Sequence, residues 1–191
     1  MKKFIPYFVM LILLPFATAR DSRALLPVGL YVGARGTADT RISSRTSAID
    51  LEPGFIGSGS FIAGLRLFSF RVDLEYALGA FRTNDIDISI LGHSLLGNVY
   101  YNLFDSILLK LYLNGGAGRT TFAHSSLLED EAETFTSSFT WLVGAGVTFS
   151  LFNVVNLDIG YRFMDFGNPQ LDYCDDDWTS STVYLALRFG F

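Results

Sequence analysis

The feature that most constrains this chain is a strict two-residue alternation of apolar and small or polar side chains, which recurs along its length. It is clearest in STVYLALRFGF, residues 181–191. There Val183, Leu185, Leu187, Phe189 and Phe191 fall on one side of an extended strand, and Thr182, Tyr184, Ala186, Arg188 and Gly190 on the other. The same alternation appears in LPVGLYVGARG, GSFIAGLRLF, FRVDLEYALG, LGHSLLGNVYYN, LLKLYLNGGAG, SFTWLVGAGVTF and VNLDIGYRF. With the last segment these make eight strands of about ten residues, a length that crosses a bilayer when tilted.

Alternation alone also fits a soluble sandwich or a lipocalin-like barrel, with the apolar side inward. The second faces decide between these readings. They combine Arg35, Arg66, Arg71, Asp73, Glu75, Lys110, Asp158, Arg162 and Arg188 with many glycines, among them Gly29, Gly33, Gly64, Gly116, Gly118, Gly144, Gly146 and Gly160. Small residues beside opposite charges suit the crowded interior of a narrow barrel, whereas a solvent face would carry more Lys, Glu and Thr. In lipid only a closed barrel leaves no strand edge unpaired. The expected fold is therefore all-β: an eight-stranded antiparallel transmembrane β-barrel with an up-and-down meander.

Connection lengths point the same way. The short connections fall near Ser69, at LFDS (103–106) and near SLFN (150–153). The alternate gaps, 37–54, 82–89, 121–137 and 166–179, are longer and polar. Short and long connections then gather at opposite ends, as periplasmic turns and extracellular loops do in the bacterial outer membrane. Phe68, Phe70, Tyr101, Phe104, Phe149, Phe189 and Phe191 cluster toward the short-turn end, where an aromatic girdle is expected.

MKKFIPYFVMLILLPFATA, residues 1–19, has a basic start, an apolar run bracketed by Pro6 and Pro15, and a small-residue ending. It reads as a signal peptide cleaved after Ala19, leaving residues 20–191 as the barrel domain. The rival, an N-terminal membrane helix, is short of the roughly 20 residues needed to span. Cleavage removes Lys2 and Lys3 and leaves 12 basic residues against 19 acidic, a net charge of −7. That balance argues against nucleic acid as a partner. Cys174 is the lone cysteine, so no internal disulfide is expected and an unpaired loop thiol is the simplest reading.

The chain resembles the eight-stranded outer-membrane β-barrel family that includes opacity-type and small OmpA-like surface proteins. The residues that carry the resemblance are VYLALRFGF with its terminal Phe191, GYRFMDFG, and VDLEYALG. The resemblance implies that the last strand is read by the barrel-assembly machinery, with Tyr184, Leu187, Phe189 and Phe191 as the signal. It also implies a structural surface protein or adhesin-type antigen, expected as a monomer; no OmpA-type peptidoglycan-binding domain is expected after the barrel, with which the sequence ends.

The interior charges admit two readings, a selective conduit or a plug of ion pairs that sets strand register. Eight strands enclose room for side chains alone, which favours the plug and disfavours a wide porin. An enzyme of the lipid-modifying barrel type would need a nucleophile, a base and an orienting group together. His93 and Ser94 are adjacent and face opposite ways, while His124, Ser125 and Glu129 lie in or beside a long gap, so no catalytic residue is assigned. The acidic stretches LEDEAE (128–133) and LDYCDDDW (171–178) suit Ca²⁺, a basic host or cell-surface ligand, or simply solvent. No cofactor or metal is assigned. Arg82 and Arg119 have outward parity near the extracellular rim, where lipopolysaccharide phosphates lie.

Overall fold

A computed structural model describes residues 28–44, 57–82, 89–106, 108–124, 134–151, 154–168 and 177–190. The strands are β1 (Val28–Ser44), β2 (Gly57–Leu67), β3 (Phe70–Arg82), β4 (Ser89–Asp105), β5 (Leu109–His124), β6 (Thr134–Ser150), β7 (Val155–Asp165) and β8 (Trp178–Gly190). Each pairs antiparallel with the next, and β8 closes on β1, so the sheet is a complete barrel in chain order. The closing ladder runs from Tyr31 opposite Gly190 to Ser44 opposite Trp178. With every edge paired, no strand leaves backbone donors and acceptors exposed to lipid.

The two faces separate as the alternation requires. Along β8, Trp178, Ser180, Thr182, Tyr184, Ala186 and Arg188 are buried inside, while Val183, Leu185 and Leu187 are exposed outside. Leu30, Val32, Leu74, Leu95, Val143, Ile159 and Tyr161 are likewise exposed. The apolar side therefore lies on the outer wall and the polar side inside. This inverts a soluble barrel and forms an apolar surface far larger than a soluble monomer shows.

Several strands run further than the two-residue pattern had marked. The gap expected at 37–54 opens only after Ser44, and LFDS (103–106) is mostly strand, since β4 continues to Asp105. At the other gaps β5 extends to His124, β6 begins at Thr134, and β8 begins at Trp178. Two register shifts explain part of this. One lies between Asp39 and Arg41 against β8, and the other between Asn102 and Phe104 against β5. In the second, the extra residue Leu103 resets the parity, so Asn102 is buried while Phe104 sits opposite Leu111 on the outside. Strict alternation breaks there, although the strand does not.

The β2–β3 connection is the two-residue turn Phe68–Ser69, closed by the Leu67–Phe70 pair. Phe68 has φ of 52°, an uncommon conformation for a bulky residue, and is 74% exposed. Phe70 packs beside Tyr101, with ring centroids 5.0 Å apart. Phe104 and Phe149 are exposed at the same end. Residues 1–19, expected to be a signal peptide, lie outside the described residues, as do Cys174, Phe191, LEDEAE and most of LDYCDDDW.

Candidate functional site

Two carboxylates organise the interior. Glu75 on β3 has no exposed surface and accepts from four side chains on four strands. Arg35 Nη1 lies 2.5 Å from its Oε2, and Arg162 Nη1 lies 3.0 and 3.1 Å from its two oxygens. Ser60 Oγ donates at 2.8 Å and Asn98 Nδ2 at 3.0 Å. One carboxylate thus ties β1, β2, β4 and β7 together across the lumen. Asp158, nearer the short-turn end, is gripped by Arg188 through Nε at 2.6 Å and Nη2 at 2.7 Å. Thr148 Oγ1 donates to it at 2.6 Å, and Arg71 Nη1 reaches it at 3.3 Å.

Asp73 sits between these nodes and is held by neutral groups. Tyr31 donates its hydroxyl at 2.9 Å, and Asn98 Nδ2 donates at 2.9 Å. Arg35 also donates to the Tyr100 hydroxyl at 2.7 Å. Tyrosine faces cover the guanidinium groups, with Arg71 4.4 Å from the Tyr100 centroid and Arg35 4.7 Å from that of Tyr184. These contacts accompany Nε atoms of Arg35, Arg71 and Arg162 that have no hydrogen-bond partner. Buried charges require such enclosure, because desolvating an ion costs several kcal/mol that only good pairing offsets.

Two of the nine candidate interior charges stand apart from this cluster. Arg66 has inward parity but is exposed at the short-turn mouth, directly opposite Arg71 in register. Like charges across a ladder repel, and the open mouth gives Arg66 water in place of a carboxylate. Lys110 pairs with Asp105 at 2.5 Å, at the partly exposed β4–β5 turn. For the remaining seven, Arg188 selects Asp158 from the carboxylates within its general reach, leaving Glu75 to Arg35 and Arg162.

A second layer fills the lumen toward the long-loop end. Leu96, Phe122, Leu142, Met164, Phe166 and Trp178 form a buried apolar cluster, ringed by Ser94, Thr120, Thr140 and Ser138. Phe122 packs edge-on to both Phe166 and Trp178, at 6.0 and 5.8 Å. Phe122, Phe166 and Trp178 fall in stretches expected to be loops. Continuing the inward parity from Thr120, Met164 and Ser180 would have reached all three. The ladder also continues past β7, with Phe166 N donating to Trp178 O at 2.8 Å and Trp178 N to Gly167 O at 3.0 Å.

The inward glycines make room for these layers. Tyr31, Tyr112 and Tyr184 stand directly opposite Gly64, Gly146 and Gly160 on neighbouring strands, and each ring lies over its glycine. A Cβ on Gly160 would lie 2.5 Å from Tyr184 Cζ, and one on Gly146 would lie 2.6 Å from Tyr112 Cζ. The Tyr112 and Tyr184 hydroxyls then meet at 2.7 Å. Tyr184, expected in the assembly signal, is therefore buried inside, whereas Leu187 is exposed on the outer wall.

Among the described residues His93 is not assembled into a catalytic triad. Its Nδ1 lies 3.2 Å from the Tyr76 hydroxyl on the outer wall, while Ser94 points inward to Thr120 at 2.9 Å. Among the described residues no group of three or more His, Cys, Asp or Glu side chains is arranged to hold a metal.

A closed eight-stranded meander with an apolar outer wall and a packed polar lumen defines a transmembrane barrel of the bacterial outer membrane. The chain belongs to the outer membrane protein beta-barrel domain family, which matches residues 9–189. Among solved structures it is similar to neisserial surface protein A, at 18% identity and a TM-score of 0.66, covering 86% of this chain and 97% of the other. It is also similar to Ail, the attachment invasion locus protein of Yersinia pestis, at 16% identity and a TM-score of 0.49, covering 85% and 97%. The N-terminal barrel domain of Pseudomonas aeruginosa OprF matches at 14% identity and a TM-score of 0.46, covering 84% and 97%. Among curated protein sequences nothing matches the chain.

Proposed function

We propose that this protein is a non-conducting scaffold of the outer membrane that presents acidic loops at the cell surface, a structural surface protein of the adhesin or antigen type. The carrying observation is that the lumen is filled twice over. The carboxylate–arginine layer around Glu75 and Asp158 is followed by the apolar layer around Phe122 and Trp178. An ion moving through would have to break the first and then cross the second, where only a few buried hydroxyls could replace its water.

A rigid, sealed wall suits an anchor for loops. The acidic stretches at 128–133 and 171–178 follow β5 and β7 at the end that carries extracellular loops in this class, and their charge favours a basic host or cell-surface partner. The barrel-assembly machinery is the partner on the inner side, reading the β8 end.

Planar-bilayer recording of the purified, folded protein tests the seal, and a quiet bilayer is expected. Regular conductance steps would replace the scaffold with a narrow channel. Deletion of 128–133 and of 171–176, which spares Thr134 and Trp178, should lower adhesion to a basic surface while leaving the folded band in place. Unchanged adhesion in both deletions would remove the adhesin reading.

A further inference from the structure

The outer wall is interrupted on one side of the barrel. Below the interruption the rows across β4, β5 and β6 are apolar, as at Gly97, Ala117 and Trp141. The next row is Leu95, Arg119 and Phe139, and the one after it His93, Thr121 and Ser137. The wall then returns to Leu91, Ala123 and Phe135, of which Leu91 and Phe135 are exposed apolar side chains. The polar patch is therefore an island in the wall and not the start of a polar strand end.

Arg119 is exposed on this wall and makes no ion pair with a described residue. Beside it the Thr121 and Ser137 hydroxyls meet at 2.9 Å. The His93 ring stacks near Tyr76 and bonds its hydroxyl through Nδ1, which leaves Nε2 free of any described partner.

Depth supplies a counter-ion. From Leu109, where the outer wall of β5 begins, the rise to Arg119 is about 26 Å along the barrel axis, at about 3.4 Å per residue and a tilt of about 40°. The apolar band of such barrels is about 25 Å tall. With the hydrocarbon taken to begin at Leu109, Arg119 falls at its outer edge, at the level of lipid phosphates. A bare guanidinium on a lipid-facing wall is costly toward the midplane and tolerated near this boundary. The guanidinium fork matches phosphate oxygens in a bidentate geometry.

We propose that Arg119, with His93 and the Thr121–Ser137 hydroxyl pair, forms a binding site for the phosphate of an outer-leaflet lipid on the β4–β6 wall. The phosphate meets the guanidinium and the neighbouring donors, and the acyl chains lie along Leu95, Phe139 and Trp141. The site is open and apolar on both sides, which favours a phosphate carrying hydrocarbon over a free anion. It does not depend on whether the lumen conducts.

Native mass spectrometry of the full chain folded in detergent micelles, titrated with diphosphoryl lipid A, dephosphorylated lipid A and inorganic phosphate, tests this. Wild type should prefer the diphosphoryl form by about tenfold, the scale of one charge-assisted contact. Arg119→Gln should abolish the preference, and Arg119→Lys, which keeps the charge without the fork, should retain part of it. Arg66→Gln, removing an exposed guanidinium at the opposite end, should leave it unchanged. Equal loss in Arg66→Gln and Arg119→Gln would mean general charge attraction and overturn the proposal. So would unaltered lipid binding in Arg119→Gln, or displacement of the lipid by millimolar inorganic phosphate. The shift of the folded band on heating confirms that each variant is a barrel, and Arg119→Lys carries the test if the glutamine variant does not fold.

Discussion

The hydroxyls of Tyr112 on β5 and Tyr184 on β8 meet at 2.7 Å across the lumen, joining two strands that share no ladder. Each ring reaches that point by lying over a glycine on the adjacent strand, Gly146 or Gly160. Removing one hydroxyl strands the other in a buried site. Tyr112→Phe and Tyr184→Phe should therefore each cost about 1–3 kcal/mol in denaturant unfolding from lipid vesicles. The double variant should cost less than the sum, because the second change removes a group already unpaired.

Gly160→Ala and Gly146→Ala place a methyl where the tyrosine ring already sits, and should destabilise by about 1–3 kcal/mol. Gly36→Ala is the comparison, since nothing lies within 4 Å of its added Cβ. Equal unfolding midpoints for all three would show that the rings move aside freely.

Glu75→Gln leaves Arg35 and Arg162 facing a neutral amide in a site without water access. The expected loss is about 3–5 kcal/mol, read as a lower temperature for the heat-induced band shift. Asp105→Asn breaks the pair with Lys110 where the carboxylate side chain is 40% exposed, and should change stability by less than about 1 kcal/mol.

Phe122→Ala hollows the apolar layer between Phe166 and Trp178 and should cost about 3–5 kcal/mol. The bilayer should stay quiet in this variant too, because the Glu75 and Asp158 layer remains. Conductance arising from this single change would place the seal in the apolar layer alone.

Deletion of Phe191 should lower the amount of folded barrel in the outer membrane, whereas Tyr184→Phe should assemble at the wild-type level and show only its stability loss. A normal outer-membrane level without Phe191 would remove the terminal aromatic from the assembly signal. An assembly defect in Tyr184→Phe would show that the machinery reads the Tyr184 hydroxyl as well as its ring.

Much of this molecule is legible in the chain because strand geometry is local. Successive side chains point to opposite faces wherever the backbone is extended, so Leu95 and Leu96, or Leu142 and Val143, separate onto two walls from their positions alone. The eight segments and the alternation of short and long connections carry the meander. The pattern misleads where local geometry changes, as at the register shift beside Leu103, and where strands continue into polar sequence. That is how Phe122, Phe166 and Trp178 come to be read as loop residues.

Which charge meets which is another matter. Arg162 and Glu75 are 87 positions apart, as are Arg71 and Asp158. Their meeting depends on the tilt and stagger with which the sheet closes. The sequence by itself determined which side chains face lipid and which face the lumen, because a period of two belongs to the extended backbone. Only the tertiary structure decided that Arg188 takes Asp158, that Lys110 turns to Asp105, and that Arg66 stays at the mouth. Those choices rest on height and distance across a closed lumen, which exist only once β8 has paired with β1.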